Sequence, residues 1–152
     1  MTRDGVSIAI VTNYRTAEFV LNEALRALAE SYRNECQARN IEVILDLDSD
    51  LPKIDADGDQ LQMVLSSLFV LAQRAIRESD NTSGNILLRT AISGGRIQLS
   101  MTHDGLAEPI DAADQRLDLT VCAQIVQDQA GELCAWRPRR SAGTTIMMDL
   151  PT

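Results

Sequence analysis

A chain of 152 residues with 45% hydrophobic and 24% charged side chains is long enough to fold as a single globular domain, 1–152, around its own core. Its formal charge of −8 and pI near 4.5 argue against nucleic acid as a partner, because gripping a phosphate backbone takes clustered Lys and Arg. With only 3% aromatic residues, Leu, Ile, Val and Ala must fill the core. Cys36, Cys122 and Cys134 are widely spaced without a CxxC pair, and His103 is the sole histidine, so no structural zinc site is expected. The thiols read as buried cysteines of a reducing cytoplasm. Neither a signal peptide nor an apolar run of about 20 residues is present, so no membrane contact is expected.

In chain order, Val6–Val11 (VSIAIV) reads as a strand. From Thr16 through Arg39 the apolar residues Val20, Leu21, Ala24, Leu25, Leu28 and Tyr32 recur at helical spacing, predicting one long amphipathic helix stopped by Asn40. Ile41–Leu47 alternates as a half-buried strand that closes before Leu51-Pro52. Asp57-Gly58-Asp59 offers a helix start, and Leu61 through Ile76 carries a broad apolar stripe in which Leu61, Val64, Leu65, Leu68 and Ala72 should face a sheet. Asn85–Ile92 and Arg96–Thr102 flank Ser93-Gly94-Gly95 and predict a hairpin. A helix over Leu117–Gln129, ended by Ala130-Gly131, and strands over Glu132–Trp136 and Thr144–Leu150 complete the chain. This order predicts an α+β fold, a two-layer sandwich of a mixed, mainly antiparallel sheet with helices on one face.

Several landmarks, in the same order, resemble the catalytic and ATP-binding domain of bacterial histidine kinases in the GHKL superfamily. Asp57 with Gln60-Leu61-Gln62, Val64-Leu65, Leu68-Phe69, Ala72 and Ala75 looks like the helix of the N box. Ile97, Leu99 and Met101 followed by Asp104-Gly105 and Ile110 look like the G1 strand and loop. Gly131, Gly143-Thr144-Thr145 and Leu150-Pro151 fit the closing strands, so the resemblance runs from about Phe19 to Pro151.

The resemblance implies phosphoryl transfer from ATP, which rests on positioning and on Mg²⁺ neutralising the phosphates. It also exposes departures. The two N-box positions that should carry oxygen- or nitrogen-bearing side chains toward metal and phosphates fall on Ser67 and Leu71. The acid that should accept a hydrogen bond from the adenine amino group is His103, and Ala107 stands for a glycine. Only Asp111–Arg116 separates Ile110 from Leu117, where a long lid is expected. Arg116 and Asp118 stand where the lid's glycines should cradle phosphate.

These departures imply a pseudokinase-like signalling or docking domain of two-component or phosphorelay type, without catalytic residues, metal ligands or a resident cofactor. Its expected partner is a signalling protein such as a response regulator or a kinase. The alternative is a divergent kinase domain that still binds ATP and Mg²⁺, using Asp104, Gly105, Gly143, Thr144 and Thr145 beside Ser67, Leu71, His103 and Ala107. A third reading is a small-ligand sensor in the vacated pocket, made more apolar by Leu71. His103, at a predicted strand end, is expected to be an ordinary loop or hydrogen-bonded histidine, and the alternating Asp55, Asp57 and Asp59 a helix-start cluster rather than a calcium loop. Arg137, Arg139 and Arg140 read as a solvated turn. The chain is either a piece of a longer sensor protein or a stand-alone relative.

Overall fold

The computed structural model describes residues 16–79, 83–105, 113–136 and 143–152, with backbone alone at 113–118 and 136. The expected strand Val6–Val11, the position Ala107 and the basic cluster 137–140 lie outside the described residues. The elements are β1 (Ala17–Phe19), α1 (Leu21–Ser31), α2 (Arg33–Ala38), β2 (Ile41–Asp46), β3 (Ile54–Ala56), α3 (Gly58–Glu78), β4 (Gly84–Ser93), β5 (Arg96–His103), α4 (Ala113–Asp128), β6 (Glu132–Trp136) and β7 (Thr144–Pro151).

The described strands form a five-stranded sheet in the order β2-β4-β5-β7-β6 and a two-stranded one, β1-β3. Only the β2–β4 pair of the larger sheet is parallel, so the expected mixed, mainly antiparallel sheet is what the chain builds. Alternation along the central strands sets its two faces. Ile86 and Leu88 of β4, Ile97, Leu99 and Met101 of β5, and Ile146, Met148 and Leu150 of β7 are buried against the helices. Leu87, Thr102, Thr145 and Met147 fall on the opposite, partly open face. The hairpin between β4 and β5 turns at Gly94 and Gly95, whose φ values of 59° and 76° a side chain would resist.

α3 lies across the core. Leu61, Val64, Leu65 and Ala72 are wholly buried and Leu68 nearly so, as the stripe predicts, and each large side chain contributes about 1.5–3 kcal/mol. Asp57 caps its N-terminus, the carboxylate accepting from the Gln60 backbone N–H at 3.1 Å. That bond identifies the acidic cluster as a helix start. Asp57→Ala should therefore lower stability by about 1 kcal/mol, read as a shifted urea midpoint at constant m.

Three expectations are corrected. The single helix over Thr16–Arg39 is instead β1, α1 and α2. β1 is drawn out because Phe19 pairs with Ile54 and is buried. The helix breaks at Tyr32, whose ring stacks on Phe69 of α3 at a centroid distance of 5.0 Å. Packing there outweighs helical propensity. The last helix starts at Ala113 rather than Leu117, so much of the expected short connection is helical. It ends with the left-handed residue at Ala130, φ 66°, while the Gly131 N–H bonds back to the Val126 carbonyl at 2.9 Å. Finally, Cys36 and Cys122 are buried as expected, but Cys134, on the edge strand β6, is exposed.

Candidate functional site at the α3 face and the β5–β7 ends

β5 and β7 are central neighbours in antiparallel register, with His103 opposite Thr144, so the end of one and the start of the other share one end of the sheet. Gly105, two residues beyond His103, presses on α3. A Cβ there would lie 2.5 Å from the Ala75 carbonyl carbon and 2.6 Å from the Ile76 nitrogen, both backbone atoms. The glycine is therefore a spacing requirement of the strand–helix contact. Ser67, Leu71 and Ala75 follow one another at four-residue steps on α3, so Ser67 lies about 12 Å along the axis from the Gly105 contact.

The imidazole of His103 is buried, and its Nδ1 accepts the Gly105 backbone N–H at 3.1 Å. Burial pushes its pKa down to about 4, with the nearby Asp104 charge opposing the shift. The ring is neutral at pH 7. Since Nδ1 is the acceptor, the ring proton sits on Nε2, which leaves a donor and no second acceptor. An adenine amino group, itself a donor, finds no partner on this side chain. The acceptor that a neutral histidine retains in principle is already used inside the fold.

The neighbouring candidates are also tied into the scaffold. Asp104 Oδ2 accepts from the Asn85 backbone N–H at 2.8 Å and from Asn85 Nδ2 at 3.1 Å, and the Asp104 N–H donates to the Asn85 carbonyl at 3.3 Å. This fixes it toward β4. The buried Thr144 lies on the β7 side, its hydroxyl donating to the Gly105 carbonyl at 3.4 Å. Gly143, also buried, directly precedes it. Thr145 is not brought to the site, because its hydroxyl meets Thr102 Oγ1 at 3.1 Å on the other face of the sheet.

Leu71 joins the hydrophobic core at 7% exposure. Its fate follows from the stripe it continues with Leu68 and Ala72. Ser67 lines a cleft of about 140 Å³ between α3 and α4, with Met63, Val64, Val121, Cys122 and Ile125. Met63 and Val121 are 51% and 54% exposed, so the cleft is apolar and open at its rim. Neither residue belongs to a motif, and the one signal in the sequence is that Met63 precedes Ser67 by one helical turn. Among the described residues no group of three or more His, Cys, Asp or Glu side chains is placed to hold a metal ion.

No protein-family model and no curated protein matches the sequence. Solved structures do match. The nucleotide-free catalytic domain of the histidine kinase ThkA superposes with a TM-score of 0.73 at 22% identity, covering 90% of this chain and 95% of that one. The mycobacterial sensor histidine kinase MprB gives 0.70 at 19% identity over 91% of this chain and 97% of its own. ThkA bound to the response regulator TrrA gives 0.71 at 19% identity, covering 90% of this chain and 41% of that one. At such identities the likeness is one of fold. The chain has the fold of histidine kinase catalytic domains, as the landmarks on α3, β5 and β7 implied.

Proposed function

We propose that this domain is a non-catalytic signalling module of the two-component type, which keeps a kinase-domain scaffold and works by protein contact. The observation that carries the reading is the state of the two most telling positions. Leu71 is folded into the core, and His103 has its acceptor nitrogen occupied by Gly105. Both offer an ATP complex nothing in place of the groups the resemblance calls for. The kinase alternative relies on Asp104, Gly105, Gly143 and Thr144, and three of these already satisfy one another or Asn85.

The contact surface in this reading is the α3–α4 cleft. Its volume is below the roughly 300–1,000 Å³ of small-molecule pockets, which disfavours the sensor reading and suits one inserted side chain of a protein partner. Met63 at the rim supplies an adaptable apolar surface. A response regulator is the partner class this reading favours, ThkA being a kinase solved with one. Among the described residues no helix is long and apolar enough to cross a membrane, and the proposed setting is the cytoplasm.

The test is a binding titration against purified response regulators, run beside a phosphotransfer assay with labelled ATP. The expected result is association that Met63→Glu weakens, with no labelled histidine on the domain. Label on His103, or binding indifferent to Met63→Glu, would overturn this account.

A further inference from the structure

β6 ends the sheet on the side opposite β2, and no described strand pairs with its outer edge. The hairpin between β4 and β5 fixes which backbone groups face that edge. Its two-residue turn makes Ser93 and Arg96 a hydrogen-bonded pair, so from Ile97 onward every second residue of β5 bonds to β7. Ile97 lies opposite Leu150, which turns Asp149, Met147 and Thr145 toward β6. Their partners Glu132, Cys134 and Trp136 therefore direct their backbone groups at β7, and the Glu132 N–H does donate that way, to Asp149 Oδ1 at 3.1 Å. Leu133 and Ala135 send theirs outward.

Such an edge is ordinarily blunted by Lys, Pro or a bulge, and β6 (ELCAW) has neither Lys nor Pro. Its only charge is Glu132, at one end. A second copy of the strand can add antiparallel about a two-fold axis, and alternation limits the registers, because outward-facing residues must meet outward-facing ones. The register that pairs the whole of β6 sets Leu133 against Ala135 of the second copy, and Cys134 against Cys134 on the axis. It holds the two Glu132 residues about 14 Å apart along the strands, beyond the Debye length of about 8 Å at physiological salt. Slipping toward Leu133 halves that distance, and slipping toward Ala135 carries Glu132 and Leu133 past the end of the partner strand. For chains of net charge −8 the full register is the one that joins apolar edges without facing like charges.

We propose that β6 pairs with β6 of a second copy in this register, so that two domains share one continuous sheet. This is independent of the reading of the α3–α4 cleft. Cys134 is a free, exposed thiol, and on the axis it forms a non-hydrogen-bonded pair with Cα atoms about 4.5 Å apart. A disulfide spans roughly 4.4–6.8 Å between Cα atoms, so the thiol reports the pairing without being needed for it.

Oxidised glutathione added to the folded, reduced protein tests this on a non-reducing gel. The two Cys134 thiols form one Sγ–Sγ bond, while the reagent's disulfide takes up their electrons and protons and leaves as two thiols. A cross-linked dimer is expected in the natural sequence. Cys134→Ser/Glu132→Cys moves the thiol two residues along the same face, where the register keeps the copies too far apart to bridge, and should lose the cross-link. Ala135→Pro removes an outward N–H that no described residue uses and should lose it too. Slow reaction of the buried Cys36 and Cys122 with a soluble thiol reagent reports an intact fold in each variant. Absence of the dimer in the natural protein would overturn the proposal, and so would equal cross-linking in either folded variant, the signature of random collision.

Discussion

Acidification from pH 7 to pH 4 should cost the domain about 3 kcal/mol of stability through His103. The imidazole is neutral and buried in the folded state, with its pKa lowered from 6.5 to about 4, chiefly because burial disfavours the charged ring. In the unfolded chain it takes up a proton at an ordinary pKa near 6.5. Between these values the unfolded state binds more protons, so stability falls as the pH falls through this window and levels off below it. At 1.36 kcal/mol per unit, the interval amounts to about 3 kcal/mol. His103→Gln keeps an oxygen able to accept the Gly105 N–H but cannot titrate. Urea unfolding at steps from pH 7 to pH 4 should show the natural protein losing about 3 kcal/mol more than the variant. Parallel curves for the two proteins would show that His103 is accessible to protons in the folded state.

The sequence announces the elements whose pattern is local and repeated. α3 declares itself through Leu61, Val64, Leu65, Leu68 and Ala72, and the β4–β5 hairpin through alternation on both sides of Gly94-Gly95. β1 and β3 do not, because each is three residues long and exists through pairing with the other, Phe19 against Ile54. No periodicity can form in three residues. The break at Tyr32 is equally hidden, since it depends on Phe69, distant in sequence and adjacent in space.

The site divides the same way. Alternation alone separates Thr145 from Thr144, because Thr144 shares a face with Ile146 and Met148 in the core. The motif groups the two threonines, whereas the pleat sends them to opposite faces. Leu71 was legible as a departure from the motif, and its stripe with Leu68 and Ala72 already pointed inward. The role of His103 was only half legible. Its place at a strand end follows from the pattern of β5, but the bond that fixes its tautomer comes from the Gly105 N–H, and a backbone donor leaves no trace in the residue types.

The second large effect is on nucleotide affinity. Leu71 gives Mg²⁺ no oxygen, and the cation accepts little else. His103 presents a donor to the adenine amino group, and a buried hydrogen-bonding group left without a partner costs about 1–3 kcal/mol. The short connection that the sequence places before α4 implies fewer phosphate contacts as well, and such charge-assisted bonds are individually among the stronger ones. Together these are on the order of 4 kcal/mol, about a thousandfold, which moves a micromolar site into the millimolar range. Calorimetric titration of the domain with ATP and Mg²⁺ is the most direct measurement. The account predicts no saturable heat at micromolar ligand and no rise in unfolding temperature, whereas a ligand at a hundred times its Kd adds about 2.7 kcal/mol of stability. A saturable micromolar isotherm, weakened by Asp104→Asn or Thr144→Val, would contradict the non-catalytic reading and establish a working nucleotide site.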